Sequence, residues 1–213
     1  MPAPAHTFDA VVLAGGRGTR LGGTDKPGLV VGGQTLLGAV VSAVTSAGAD
    51  RIVVVGPERT GDLNTGAGGQ VRYAREDPPG RGPVAALACG LDQVSASLVV
   101  LLAADLPFLR PAHLTRLLTA LVARPDPGVV LLDDSARPQW LLSSWVTARL
   151  RGALDRYPGR SLGGLLGPLD PVLLPDETAA GEPPGWLDCD TAGDLRRARE
   201  WATQAHGEQE AIR

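Results

Sequence analysis

A glycine-rich, basic segment near the amino terminus, residues 8–29, constrains the fold of this chain more than any other stretch. It starts with an apolar run, Ala10 to Ala14, and continues with glycines at positions 15, 16, 18, 22 and 23. Three basic residues (Arg17, Arg20 and Lys26) and one acid, Asp25, give this loop a charge of +2 in a chain of net charge −3. Glycines let backbone N–H groups converge on an anion. The segment therefore predicts a phosphate-binding loop after a strand.

Lys26 is the only lysine in the chain; the other nineteen of the twenty Lys and Arg residues are arginines. A lysine that persists in such a background indicates a position that needs a compact, mobile ammonium rather than a planar guanidinium. We expect it to bind phosphate from an exposed loop and to pack little.

Two common phosphate-binding loops do not fit this segment. The P-loop requires Gly-Lys-Ser/Thr, whereas Lys26 stands between Asp25 and Pro27. The dinucleotide-binding fingerprint requires a third glycine, where this chain has Leu21. A glycine-rich surface turn with incidental charges remains the alternative.

The pattern of apolar runs and helix signals predicts an α/β protein. Strands are expected at Phe8–Ala14, Arg51–Val55, Gln70–Ala74, Ser97–Ala103, Val129–Leu132, Gln139–Trp145 and Trp186–Cys189. Helices are expected from Thr35 to Ala47, Pro83 to Val94, Pro111 to Ala123, Val146 to Arg156 and Asp194 to Ala205, with a Ser161-capped turn. Strands alternating with helices favour a mostly parallel sheet with right-handed crossovers, and no linker divides residues 1–213.

Composition narrows the class of protein. A 213-residue chain that is 44% hydrophobic and 20% charged can form one globular domain. Mild acidity gives no general attraction to nucleic acid or to an anionic membrane. Cys89 and Cys189 have no metal-ligand spacing, and the sequence shows neither a signal peptide nor a membrane span, so we expect a cytoplasmic protein.

Three acids follow predicted strands and should lie at one edge of the sheet. Asp77, Asp105 and Asp190 come after the third, fourth and last of these strands. Ligands of open parallel sheets bind outside the carboxyl ends of the strands, where the glycine loop also begins. Carboxylates beside a basic loop favour Mg²⁺-bridged phosphate. The alternatives are a turn-forming role for Asp77, a helix-capping role for Asp105 and a helix-dipole role for Asp190.

Several motifs together resemble the molybdenum cofactor guanylyltransferases, of the MobA-like nucleotidyltransferase family. They are Leu13-Ala14-Gly15-Gly16, Arg20-Leu21-Gly22-Gly23, Asp25-Lys26, the segment from Asp77 to Ala86, Ala104-Asp105-Leu106-Pro107-Phe108, Pro138-Gln139-Trp140-Leu141 and Arg160-Ser161-Leu162. The resemblance implies a Rossmann-like three-layer sandwich of the nucleotide-diphospho-sugar transferase type. It also implies Mg²⁺-dependent transfer of GMP from GTP to the terminal phosphate of molybdopterin, with release of pyrophosphate.

The resemblance also assigns roles to residues. Catalytic roles fall to Arg20, Lys26 and Asp105, and metal binding falls to Asp105 and Asp190. Nucleotide contacts fall to Leu13, Ala14, Gly15, Gly16, Lys26, Asp77, Gly82, Pro83 and Asp105. Acceptor contacts fall to Trp140, Arg160 and Ser161, although Trp140 and Trp145 also fit the core.

Residues 8–125 would bind nucleotide and residues 126–205 the acceptor. Molybdenum-cofactor insertion proteins are implied partners, and a monomer is favoured.

Two departures from the family pattern leave alternatives open. Relatives commonly have Asn-Thr-Pro where this chain has Asp190-Thr191-Ala192. After the second strand, guanylyltransferase-type relatives can carry an Asn that contacts nucleotide, whereas here residues 56–59 read Gly-Pro-Glu-Arg. A cytidylyl- or sugar-phosphate nucleotidylyltransferase, or a non-catalytic nucleotide-binding homologue, therefore remains an alternative.

Overall fold

A computed structural model describes residues 7–15, 25–59, 70–124, 126–179 and 181–211. Its strands are β1 (Phe8–Leu13), β2 (Val30–Val31), β3 (Gln34–Thr35), β4 (Arg51–Val55), β5 (Gln70–Ala74), β6 (Leu98–Ala103), β7 (Gly128–Leu132), β8 (Pro138–Val146) and β9 (Val172–Pro175). Its α-helices are α1 (Leu36–Ser46), α2 (Pro83–Leu91), α3 (Pro111–Val122), α4 (Thr147–Leu154), α5 (Leu162–Leu166) and α6 (Ala192–Ala211). Short 3₁₀ turns occupy Lys26–Gly28 and Gly167–Leu169.

The described strands form a main sheet of seven in the order β5-β4-β1-β6-β8-β7-β9, with β2 and β3 in a separate hairpin. Strand β8 runs antiparallel to both β6 and β7, whereas the other neighbouring pairs are parallel. The prediction of a mostly parallel sheet is confirmed.

Helices cover both faces of this sheet. Alternate residues of each strand point to opposite faces, so a wholly apolar strand buries side chains on both. Ala10 and Val12 of β1 pack in the core cluster that contains α1 and α3. Val11 and Leu13 pack in the cluster that contains α2, α4 and α5. The three-layer sandwich expected from the sequence is therefore confirmed. Within the part of the chain described here, no helix has the length and apolar character needed to span a bilayer.

Local signals begin and end the helices near the predicted positions. Thr35 Oγ1 accepts a hydrogen bond of 3.0 Å from Gly38 N and caps α1, which ends before Gly48 at a φ of +87°. Pro83 occupies the first turn of α2. Ser161 Oγ accepts from Gly164 N at 3.1 Å and caps α5.

One sequence prediction about the carboxyl-terminal third, the strand at Trp186–Cys189, is wrong. Residues 186–189 are not a strand; they form a turn and an extended loop, in which Leu187 N donates to Pro184 O at 3.2 Å. The strand at this edge is instead β9, which pairs with β7. Trp186 does not pair in the sheet and is a half-buried residue that packs against the core on the α1 and α3 face.

Candidate active site

Segments from distant parts of the chain meet at the carboxyl edge of the parallel strands. Beyond β1, Ala14 N donates to Val55 O at 2.9 Å, and beyond β6, Ala104 N donates to Leu13 O at 3.1 Å. These bonds hold Ala14 and Ala104, which follow β1 and β6, at the ends of adjacent strands, and Asp105 comes directly after Ala104. The carboxyl edge of β1 and β6 is therefore the position of the candidate site, as the sequence predicted.

Lys26 lies in this site and contacts two of the predicted acids. Its Nζ forms ion pairs with Asp105 Oδ2 and Asp190 Oδ1. Burial lowers the pKa of the Lys26 ammonium, but the two carboxylates more than offset this effect and raise the pKa above its ordinary value. Only 18% of the side chain is exposed, so the expectation of an exposed lysine that packs little is wrong.

Three carboxylates, those of Asp105, Asp188 and Asp190, form a cluster beside this lysine. Each offers an oxygen within 4.8 Å of the others. Asp105 Oδ1 is buried and has no hydrogen-bond partner among the described residues. A convergent set of hard oxygen donors with an unpaired buried oxygen fits a cation such as Mg²⁺. Asp105 and Asp190 are thus brought together as predicted.

Asp188 is the member of the cluster that the sequence prediction omitted. Asp188 is exposed as a residue, but its carboxyl group is partly shielded from water; this shielding, followed by the like charges of Asp105 and Asp190, raises the pKa of Asp188 to about 6. Cys189 between the two acids is buried, and it packs with Val31 and Ala198. The sequence signal that could have included Asp188 is an apolar residue, Cys189, between two acids, Asp188 and Asp190.

The start of α6 is capped by residues other than Asp190. Thr191 N donates to Asp194 Oδ2 at 2.8 Å, and Asp194 N donates to Thr191 Oγ1 at 3.2 Å. These reciprocal bonds cap the helix, and the helix-dipole role of Asp190 stays an alternative. The Asp190 carboxylate contacts Lys26.

The roles of the other predicted nucleotide-binding residues stay predictions, and the described ones lie at the end of β1 or between β5 and the first turn of α2. Leu13 ends β1, and Ala14 is buried while Gly15 is exposed. Gly16 and Arg20 lie outside the described residues. Asp77 is exposed before a cis peptide bond to Pro78 and does not belong to the carboxylate cluster. Gly82, at a φ of +102°, and Pro83 form the start of α2.

The three predicted acceptor residues lie on the face covered by α2, α4 and α5. The Trp140 ring is half-buried; a Cβ added at Gly163 would lie 3.1 Å from its Nε1. Arg160 lines a groove of about 410 Å³ between α2 and the segment after α4, where Arg81 and Tyr157 also lie. The Ser161 hydroxyl caps α5 and lies 3.2 Å from Tyr157 Oη. Trp145, in contrast, is fully buried and belongs to the core.

The fold and the clustered acids define a class of proteins, the nucleotidyltransferases of the nucleotide-diphospho-sugar transferase fold. A solved nucleotidyl transferase from Methanothermobacter thermautotroptrophicus superposes with a TM-score of 0.71 at 24% identity, over 93% of this chain and 99% of that one. The family model described as the MobA-like NTP transferase domain matches residues 10–172. The chain belongs to this family and is a nucleotidyltransferase.

Two curated relatives are similar in sequence over most of the chain. A molybdenum cofactor guanylyltransferase from Bradyrhizobium sp. (strain ORS 278) is 33% identical over 147 residues, which are 66% of this chain and 66% of that protein. A probable molybdenum cofactor guanylyltransferase from Natronomonas pharaonis is 28% identical over 199 residues, 89% of this chain and 96% of that protein. These names agree with the family that the sequence motifs indicated.

Proposed function

We propose that this chain transfers GMP from GTP to the terminal phosphate of molybdopterin and releases pyrophosphate. The observation that carries the proposal is the convergence of Lys26 with Asp105, Asp188 and Asp190 at the carboxyl edge of the sheet. The names of the two curated relatives support the choice of guanine nucleotide and acceptor.

The chemistry needs positioning and charge neutralisation rather than a protein nucleophile. An oxygen of the acceptor phosphate attacks the α-phosphorus of GTP, and the bond from that phosphorus to the β-phosphate oxygen breaks. Because the acceptor phosphate is already anionic, no residue has to become a nucleophile. Holding the two phosphates in line and offsetting their charge lowers the barrier.

Asp105, Asp188 and Asp190 are the residues that would hold Mg²⁺, which when bound supplies positive charge to phosphate oxygens. Lys26 would exchange its contacts with the carboxylates for contacts with the triphosphate. Asp105 and Asp190 raise the pKa of Lys26, and the phosphates that would replace them are also anionic, so the ammonium stays protonated and can donate to phosphate. Arg20 and the backbone from Gly15 onward would complete the phosphate site.

Nucleotide preference and pyrophosphate release test the proposal together. Thermal midpoints are measured with Mg²⁺ and each of the four NTPs, and we expect GTP to give the largest rise. An excess of about 100 times the dissociation constant stabilises by about 2.7 kcal/mol, which is several degrees at this chain length. Pyrophosphate release is then measured with GTP, with and without molybdopterin, and with EDTA as the metal control.

The outcomes separate the alternatives. A larger rise with CTP would reject the guanine assignment in favour of a cytidylyltransferase. A rise with GTP but no pyrophosphate release in the presence of acceptor would indicate a nucleotide-binding homologue without activity.

A further inference from the structure

A bidentate ion pair joins the residue before Lys26 to the segment after β4. Arg59 Nη1 and Nη2 donate to Asp25 Oδ2 and Oδ1, respectively. The Arg59 side chain is only 11% exposed, whereas that of Asp25 is 60% exposed. The hydrogen bond from Arg59 holds the pKa of Asp25 below its ordinary value. Two parallel hydrogen bonds fix both the distance and the orientation of the paired groups.

The ion pair between Asp25 and Arg59 lies next to the turn that contains Lys26. Gly28 N donates to Asp25 O at 3.1 Å, and Leu29 N donates to Lys26 O at 3.1 Å, so residues 25–29 form a hydrogen-bonded turn. Pro27 in this turn is buried. A Cβ added at Gly28 would lie 2.6 Å from Asp25 Oδ2 and 3.5 Å from Arg59 Nη1. The absence of a side chain at position 28 therefore leaves room for the ion pair.

We infer that Asp25 and Arg59 are positioning residues that fix the backbone of Lys26, an inference that rests on the proposed function. Arg59 holds Asp25 against the segment that follows β4. Because Asp25 and Lys26 belong to one hydrogen-bonded turn, the position of Asp25 also fixes the backbone of Lys26. The Lys26 ammonium then reaches a site whose carboxylates come from two other segments, after β6 and before α6.

The first test removes each half of the pair. Arg59→Gln and Asp25→Asn should each lower kcat about tenfold, because a displacement of about 1 Å in a catalytic group costs on the order of 10²-fold in rate. Arg116→Gln is the matched control: it breaks the ion pair between α3 and Glu177, whose side chains are 25% and 74% exposed. The control should keep the wild-type kcat, and Arg59→Lys should recover part of the loss.

A double-mutant cycle separates positioning of Lys26 from a general structural role. Arg59→Gln is made in the wild type and in Lys26→Gln. If Arg59 acts through Lys26, it lowers kcat about tenfold in the first background and less than about twofold in the second, whereas the thermal midpoint falls equally in both. The GTP-induced rise in thermal midpoint is measured in the same four proteins, so the cycle can be read even if Lys26→Gln has no measurable turnover.

Two results would overturn the inference. One is a wild-type kcat and nucleotide response in Arg59→Gln. The other is an equal loss in both backgrounds, which would make the pair a structural contact only. The wild type by itself decides the proposed function: if it releases no pyrophosphate from GTP, that function is rejected. The nucleotide responses of the four proteins, measured with whichever NTP raises the wild-type midpoint most, still decide the role of the pair.

Discussion

Asp188→Asn should stabilise the metal-free protein while weakening its hold on a divalent cation. Three carboxylates lie within 4.8 Å of one another, and Lys26 supplies one positive charge that contacts two of them. At about pH 8 the Asp188 carboxyl carries its charge, because this pH lies above its raised pKa of about 6. Asparagine keeps the size of the side chain and removes one of three like charges.

The geometry sets the size of the effect. Two unit charges at this separation repel by roughly 1 kcal/mol in water and by roughly 3.5 kcal/mol at the effective dielectric of a protein surface. Asp188 is exposed, so its repulsion lies nearer the lower value, and the attraction of Lys26 cancels part of it. We expect a net gain of about 1 kcal/mol, which for a 213-residue chain raises the thermal midpoint by about 2–4 °C.

The assay is thermal unfolding in EDTA and in a series of Mg²⁺ or Mn²⁺ concentrations. Asp188→Asn should unfold at a higher temperature than the wild type in EDTA and show a smaller rise with metal. Asp50→Asn is the matched control, because Asp50 is exposed and precedes β4 at the opposite edge of the sheet. A lower midpoint in EDTA, or a metal response equal to that of the wild type, would refute the charge argument.

Three further variants test the site and the core. Asp105→Asn should lower turnover at least ~100-fold, since it removes a carboxylate from the proposed cation site. The thermal midpoint should change little, because the loss of the ion pair with Lys26 is offset by relief of repulsion from the other two carboxylates. Lys26→Arg should lower turnover at least about tenfold in pyrophosphate release, because a planar guanidinium does not fit a site for a compact ammonium. Gly128→Ala should destabilise by about 1–3 kcal/mol in urea unfolding, because the added Cβ would lie 2.2 Å from Trp145 Cε3.

Each of these variants has an outcome that contradicts its reasoning. Near wild-type turnover in Asp105→Asn would mean that other groups hold the metal, and full activity in Lys26→Arg would make Lys26 an incidental charge. For Gly128, the control is Gly152→Ala in α4, whose added Cβ would come no closer than 3.6 Å to Arg156 Nη1. The control should be neutral or more stable, since alanine favours a helix. An equal loss in both would refute the steric argument.

Local physical rules made much of the fold predictable from sequence. Apolar runs such as residues 10–14 and 98–103 are buried on both faces, so their strand character did not depend on knowing their neighbours. Thr35, Pro83 and Ser161 begin helices through contacts within a few residues. The shared carboxyl edge of the parallel strands then follows from the alternation of strands and helices, and this alternation placed Asp105 beside the end of β1.

The rest required tertiary contacts between residues far apart in the chain. Lys26 and Asp190 are separated by 164 positions, and Asp25 and Arg59 by 34, so no local pattern specifies either pair. Residues 186–189 resemble a strand in composition, yet a strand exists only where a neighbour supplies hydrogen bonds, and β9 pairs with β7 at that edge instead. The sequence alone supplied Lys26, Asp105 and Asp190 as candidates for phosphate and metal binding. Packing around Cys189 brought Asp188 into the cluster, because the carboxylates meet only when a buried neighbour fixes the loop between them.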